Sequence, residues 1–285
     1  LVAAVRAWAE EAGLSSLHLL FSDPADQLAC EQDGWMARST VQFHWTNQGG
    51  WRDFDAFLAS LNQEKRKKIR QERRKVSEAG VRFTALRGTQ ITARDWDFFY
   101  RCYERTYLEH GNAPYLTREF FEAMHAHLPE AWLLFVAERD GQRIASSLIA
   151  ISADVVPFSD KNFLENGENQ PQSATESIVN SSAMPQGTAY GRYWGALERV
   201  DCLHFEACYY QPIEWCLRHG VARFEGGAQG EHKMARALLP VVTPSAHWIA
   251  HPAFAEAIGR FLDQEAQGMQ AYYRELQAHS PLKAD

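Results

Sequence analysis

Apolar positions recur at helical spacing over 2–12 and then alternate with polar ones over 16–21 and 39–45. This predicts a helix closed by Gly13, followed by two strands. Between the strands, "DPADQLACEQDG" (23–34) reads as a short helix with an Asp cap and a Gly stop. After a turn at 45–50, Phe54, Phe57, Leu58 and Leu61 share one face of a long helix predicted over 53–79, which Gly80 ends. Strand 81–86 follows, then helices capped by Thr92 and Thr117. The two apolar runs of 131–151 flank Asp140-Gly141, a pair suited to a tight hairpin turn.

The periodicity stops at 152–187, which is rich in Ser, Asn, Gln and Pro. Loops longer than ~12–15 residues are rare inside compact domains, so a disordered insertion or mobile surface loop is expected here. Pattern resumes with a strand at 188–197, a helix at 205–220 that Pro212 starts or kinks, strands at 221–227 and 245–250, and a terminal helix at 252–279. From Val81 onward the order is strand, helices, hairpin, strand, helix, strand. That order predicts an α/β protein, with an α+β mixed sheet in which parallel strands are joined by a crossover helix. It is the order of a GNAT-like acyltransferase domain. The expected organisation is 1–52 as the remainder of a first GNAT-like unit, 53–80 as a basic connecting helix, and 81–285 as the acyltransferase domain.

Composition narrows the chemistry. An apolar fraction of 46% over 285 residues fills a real core, and a net charge of −7 argues against wholesale coating of nucleic acid. Five cysteines without a CxxC pair read as reduced thiols of a cytoplasmic protein. No apolar run approaches the ~20 residues that cross a bilayer, so no transmembrane segment is expected. The start at Leu1 suggests a chain beginning partway through a longer protein.

Against this acidic background, 64–75 carries eight cations, among them Lys65, Arg66, Lys67, Lys68 and Arg70. Glu64 can pair with Lys68 at i+4, whereas Glu72 meets only Val76 there. The run reads either as a solvated face or as a platform for a polyanion such as RNA.

Three further stretches carry candidate chemistry. "LHFEACYYQ" (203–211) holds His204, Glu206, Tyr209, Tyr210 and Gln211 near the crossover helix. The alternatives there are a buried structural pair and a general acid/base group. The preceding "ALERVDCLHFEAC" contains no glycine, which weakens ordinary acetyl-CoA binding, since pyrophosphate is met by glycine-rich backbone at a helix start. "YGRYWG" (190–195) sets Tyr190, Arg192 and Trp194 against Gly191, Tyr193 and Gly195, with Arg192 as a carboxylate or phosphate clamp. "EGGAQGEHKMAR" (225–236) is too poor in ligands for a metal centre and lacks P-loop spacing. It reads as a plain turn or as acyl-transfer machinery. In the second reading Glu231 or His232 accepts a proton, backbone N–H groups of Gly227, Gln229 and Gly230 face the oxyanion, and Lys233 supplies counter-charge.

Taken together, "PYLT" (114–117), "YGRYWG", "LHFEACYYQ", "GAQGEHK" (227–233), "SAHW" (245–248) and the basic helix resemble a Fem-like peptidoglycan-biosynthesis and N-acyltransferase family of the GNAT superfamily. The resemblance covers the chain apart from 152–187. It implies two GNAT-like units that move an aminoacyl group from charged tRNA to an amine of a peptidoglycan precursor, with no permanently bound cofactor. The donor stays open between aminoacyl-tRNA and acyl-CoA. An acetyl-CoA-type N-acetyltransferase and a non-catalytic module binding RNA or another polyanion are the competing readings. Two departures from the family pattern stand out: Ala237 where glycine is usual, and Pro212 inside a helix that usually continues.

Overall fold

The computed structural model describes residues 1–48, 50–152, 155, 186–228 and 230–283. The insertion expected at 152–187 therefore lies almost wholly outside the described residues. The chain divides into two compact units, Leu1–His44 with Gly227–Pro281, and Trp45–Gly226 with Leu282–Asp285. The first unit takes residues from both halves of the chain, so these boundaries do not coincide with the expected divisions at 52 and 80.

In the first unit α1 (Val2–Glu11), β1 (Ser16–Leu20), α2 (Pro24–Gln32) and β2 (Met36–Thr46) precede β8 (Leu239–Ile249) and α9 (Pro252–Ala278). Both β1 and β2 pair antiparallel with β8. β8 begins six residues before the predicted strand because Pro240 and Pro244 masked it; they stand opposite Phe43 and Ser39. Asp23 caps α2 as expected, its carboxylate accepting from Ala25 N and Asp26 N.

The second unit contains α3 (Phe54–Ser60), α4 (Gln63–Glu78), β3 (Arg82–Arg87), α5 (Ala93–Glu109), α6 (Arg118–His127), β4 (Trp132–Arg139), β5 (Gln142–Ile151) and β6 (Gln186–Ala196). It closes with α7 (Leu203–Phe205), a π-helical turn (Glu206–Tyr210), α8 (Gln211–Arg218) and β7 (Val221–Glu225). β3, β4, β5 and β6 pair antiparallel in sequence order, and β6 pairs parallel with β7. The predicted order, with its crossover helix between parallel strands, is the observed one. Asp140 and Gly141 both take positive φ, as the two-residue hairpin turn requires.

The helix predicted over 53–79 is two helices. Leu61 is extended at ψ 155°, and Asn62 then caps α4 by accepting from Lys65 N at 3.0 Å. A short polar side chain that satisfies an orphan N–H competes with helix continuation, which apolar spacing does not reveal. The crossover helix is also interrupted. Pro212 sits at the start of α8 and has no N–H to donate, and the preceding turn is the wider π form.

β4 is buried over Leu133–Ala137 on both faces, which places it between helical layers. On one side Leu134, Val136 and Leu148 meet Trp96, Phe99, Tyr103 and Phe121 of α5 and α6; on the other, Ala137 and Ala145 meet Val76 and Leu203. Gly195 of β6 lies under α5, where an added Cβ would overlap the Cys102 carbonyl. Gly195→Ala is accordingly expected to cost about 1–3 kcal/mol by overpacking, read as a lowered midpoint in thermal unfolding.

Candidate functional site

α4, the π-helical turn and α8 build a buried charge network in the second unit. Arg73 Nε donates to Glu206 Oε1 at 3.1 Å, and its Nη2 donates to Glu214 at 2.6 Å. Gln211 Nε2 donates to Glu206 at 2.8 Å, and the Arg73 guanidinium lies 4.4 Å from the Phe54 ring centroid. Glu206 is 4% exposed. Burial pushes its carboxyl up, while Arg73 and Gln211 pull against that. Burial alone would lower Arg73, but Glu206 and Glu214 hold it above its ordinary value. Beside this network Tyr210 donates to the buried Glu72.

This geometry recasts the expected roles of "LHFEACYYQ". Glu206 is sealed from solvent and occupied by an arginine and an amide, which suits a structural anchor and not an available base. Tyr210 and Tyr209 are buried, and the half-buried Tyr193 packs against Tyr103 and Phe121. His204 sits edge-on to Trp194 and Tyr209 at 5.2 and 5.6 Å between centroids. Arg73 and Glu214 were not singled out in the sequence, because their partners lie 133 and 141 positions away.

α4 presents fewer available cations than its composition suggests. Lys65 pairs with Glu64, Arg70 with Asp55, Arg74 with Glu78 and Lys75 with Asp201, and Arg73 is in the buried network. The expected Glu64–Lys68 pair is replaced by a contact with the adjacent Lys65. Glu72, expected to lack a partner, is buried against Tyr210. Among the described residues this leaves Arg66, Lys67 and Lys68 without an ion pair, the two lysines exposed.

The stretch that follows β7 folds in the first unit as a 3₁₀ helix, Glu231–Arg236. Gln229 and the side chain of Glu231 lie outside the described residues. Gly227, at φ 79°, offers its carbonyl to Phe43 N at 3.1 Å and to Lys233 Nζ at 3.3 Å. Lys233 is 6% exposed and holds this loop, so it is no exposed counter-charge for a substrate. Gly230, at φ 101°, packs directly under the His232 imidazole, and a Cβ there would overlap the ring. His232 is exposed overall, and partial desolvation of its ring, with Arg236 and Lys233 nearby, lowers its pKa from the ordinary imidazole value. It is therefore neutral and able to accept a proton at neutral pH. Ala237 adopts φ 61°, ψ 25°, in the left-handed region that favours glycine.

An open depression of about 870 Å³ lies between β3, β4 and α5, lined by Thr84, Arg94, Phe98, Arg101 and Arg143 among others; none of the expected site residues lines it. Among the described residues no three His, Cys, Asp or Glu side chains converge as a metal would require. No described helix is long and apolar enough to cross a membrane.

The mixed α/β fold is shared with solved structures. The chain is similar to a domain named as the C-terminal part of a lysylphosphatidylglycerol synthetase from Agrobacterium fabrum, at TM-score 0.53 and 13% identity, over 90% of this chain and 74% of that one. It is similar to L-PGS from Bacillus licheniformis at TM-score 0.56 and 9% identity, over 92% and 77% of the two chains. A conserved protein from Bacteroides thetaiotaomicron matches at TM-score 0.51 and 11% identity, over 86% and 74%. The chain itself belongs to the FemAB-like family, described as peptidoglycan biosynthesis/recognition, whose pattern matches residues 1–156 and 170–284. The match is interrupted at 157–169, a narrower break than the expected 152–187. No curated protein sequence matches the chain significantly.

Proposed function

We propose that this protein is an aminoacyltransferase that moves an aminoacyl group from charged tRNA to an amine of a cell-wall precursor, working on the cytoplasmic side. The observation that carries this reading is the FemAB-like match across nearly the whole chain, on a fold shared with domains named as lysylphosphatidylglycerol synthetases. The glycine-free segment before α7 supports it against acetyl-CoA, because no glycine-rich backbone is available there to cradle a pyrophosphate.

The chemistry asked of the protein is modest. A neutral amine attacks the aminoacyl ester carbonyl, the ester oxygen leaves with the tRNA, and the amine's proton passes to a base. Among the residues singled out in the sequence, His232 fits proton acceptance best, being exposed and neutral. Arg66, Lys67 and Lys68 supply uncommitted positive charge for the donor's phosphates.

Neutralising Arg66, Lys67 and Lys68 together should weaken tRNA binding and lower the magnitude of the log–log salt slope by about 2–3, at roughly 0.7–0.9 per phosphate contact. Lys65→Gln should leave the slope almost unchanged, because Lys65 already faces Glu64. An unaltered slope in the triple variant removes the basic helix from donor binding. The function itself is tested by offering charged tRNA and acetyl-CoA in parallel to a lysine-bearing cell-wall precursor, with product mass as the readout. Transfer from acetyl-CoA alone would replace the proposal with acetyl transfer.

A further inference from the structure

β6 and β7 run parallel, and their pairing stops at Tyr190 opposite Glu225, the last residue of β7, while β6 continues to Ala196. Crevices at the carboxyl ends of parallel strands are where open α/β sheets lodge ligands. β6 is bulged at this point. Leu148 stands opposite Tyr193 and Ile149 opposite Gly191, so Arg192 has no counterpart on β5. A bulge re-aims the side chain it carries. Arg192 is exposed, with its guanidinium 5.7 Å from the centroid of the Tyr190 ring, and among the described residues it makes no ion pair.

Glu225, on the neighbouring strand, keeps 20% of its side chain exposed and pairs with Arg223 Nε at 3.0 Å. Burial raises its carboxyl pKa, with Arg223 and Arg192 pulling the other way. Between the charges the floor is backbone: a Cβ on Gly191 would stand 3.4 Å from the Glu225 carbonyl oxygen and from the Phe224 ring. An anion alone would answer Arg192 but set like charge against Glu225. An amine alone would face two arginines. A molecule with both charges matches both walls.

We infer that the carboxyl end of β7, with the bulge of β6 beside it, forms an acceptor subsite for an amine that also carries a carboxylate, with Arg192 holding the carboxylate and Glu225 the ammonium. This rests on the reading that the acceptor is an amine, and it adds a chemical class to it. Sequence reasoning named Arg192 but passed over Glu225 as a strand end. Its signal was a carboxylate closing a strand immediately before two glycines.

The test is binding, separate from transfer. The full chain is titrated with lysine, with cadaverine (lysine without its carboxylate) and with hexanoate (no amine), followed by NMR line shapes. Wild-type protein should prefer lysine to either analogue by about tenfold, the range of one charge-assisted hydrogen bond. Arg192→Gln should abolish the preference over cadaverine while cadaverine binding stays as it was. Glu225→Gln should abolish the preference over hexanoate. Equal affinity for the three probes, or preferences that survive these substitutions, would overturn the subsite. Lysine discrimination in a protein that transfers no aminoacyl group would leave the subsite standing and defeat only the proposed reaction.

Discussion

Replacing Arg73 by alanine should destabilise the second unit by about 3–5 kcal/mol, the largest stability loss expected from any single exposed or half-buried cation among the described residues. Among the described residues Arg73 is the one cation paired with Glu206, which is nearly sealed from water, and it also holds Glu214. Removing the guanidinium strands a buried carboxylate held by the Gln211 amide. Burial already raises the Glu206 pKa, and loss of Arg73 drives it further toward the protonated form. Pairing Arg73→Met with Glu206→Gln removes both charges, so the double variant should recover much of the loss. Urea unfolding of both variants measures this. A loss under about 1 kcal/mol in Arg73→Ala would show that the network contributes little, as exposed pairs do.

The largest expected effect on activity is at His232. His232→Ala should lower kcat by about 10²–10⁴-fold, the usual contribution of a positioned general base, with a smaller change in KM. The pH dependence has a definite sign. Burial, Arg236 and Lys233 hold the imidazole below 6.5, and only its neutral form accepts a proton. The rate should therefore be flat through neutral pH and fall as pH drops through the lowered pKa. The alanine variant should lose that acid limb. Glu206→Gln tests the competing assignment: a structural anchor predicts lower stability with an unchanged acid limb. A wild-type limb in His232→Ala would remove His232 from the chemistry.

Sequence pattern revealed the second unit where local signals and tertiary packing agree. Asp140-Gly141 needed positive φ at both positions, Thr92 and Thr117 accept from the N–H groups they were expected to cap, and the β6–crossover–β7 order followed from alternation and length. It missed local breaks that apolar spacing does not carry, and features set by distant partners. The break at Leu61 depends on Asn62 reaching Lys65 N, and the widened turn at Glu206–Tyr210 accompanies a proline whose effect could be read as a start or a kink. Glu72 looked like an unmatched surface charge because its partner, Tyr210, is 138 residues away. For the same reason Arg73 and Lys75 looked available, their acids standing 133 and 126 positions away. The joining of both chain halves in the first unit left no local trace, since strand partners such as His18 and His247 carry no pattern of each other.

The central claim is aminoacyl transfer, and label transfer from tRNA tests it most directly. Purified protein is mixed with tRNA charged with a radiolabelled amino acid and with a lysine-bearing cell-wall precursor. The label reaching the precursor is then counted with and without prior RNase treatment. The account predicts label on the precursor amine, abolished by RNase and reduced about 10²–10⁴-fold by His232→Ala. Charged tRNA that binds the protein while no label moves, in wild-type protein with a folded second unit, would contradict it.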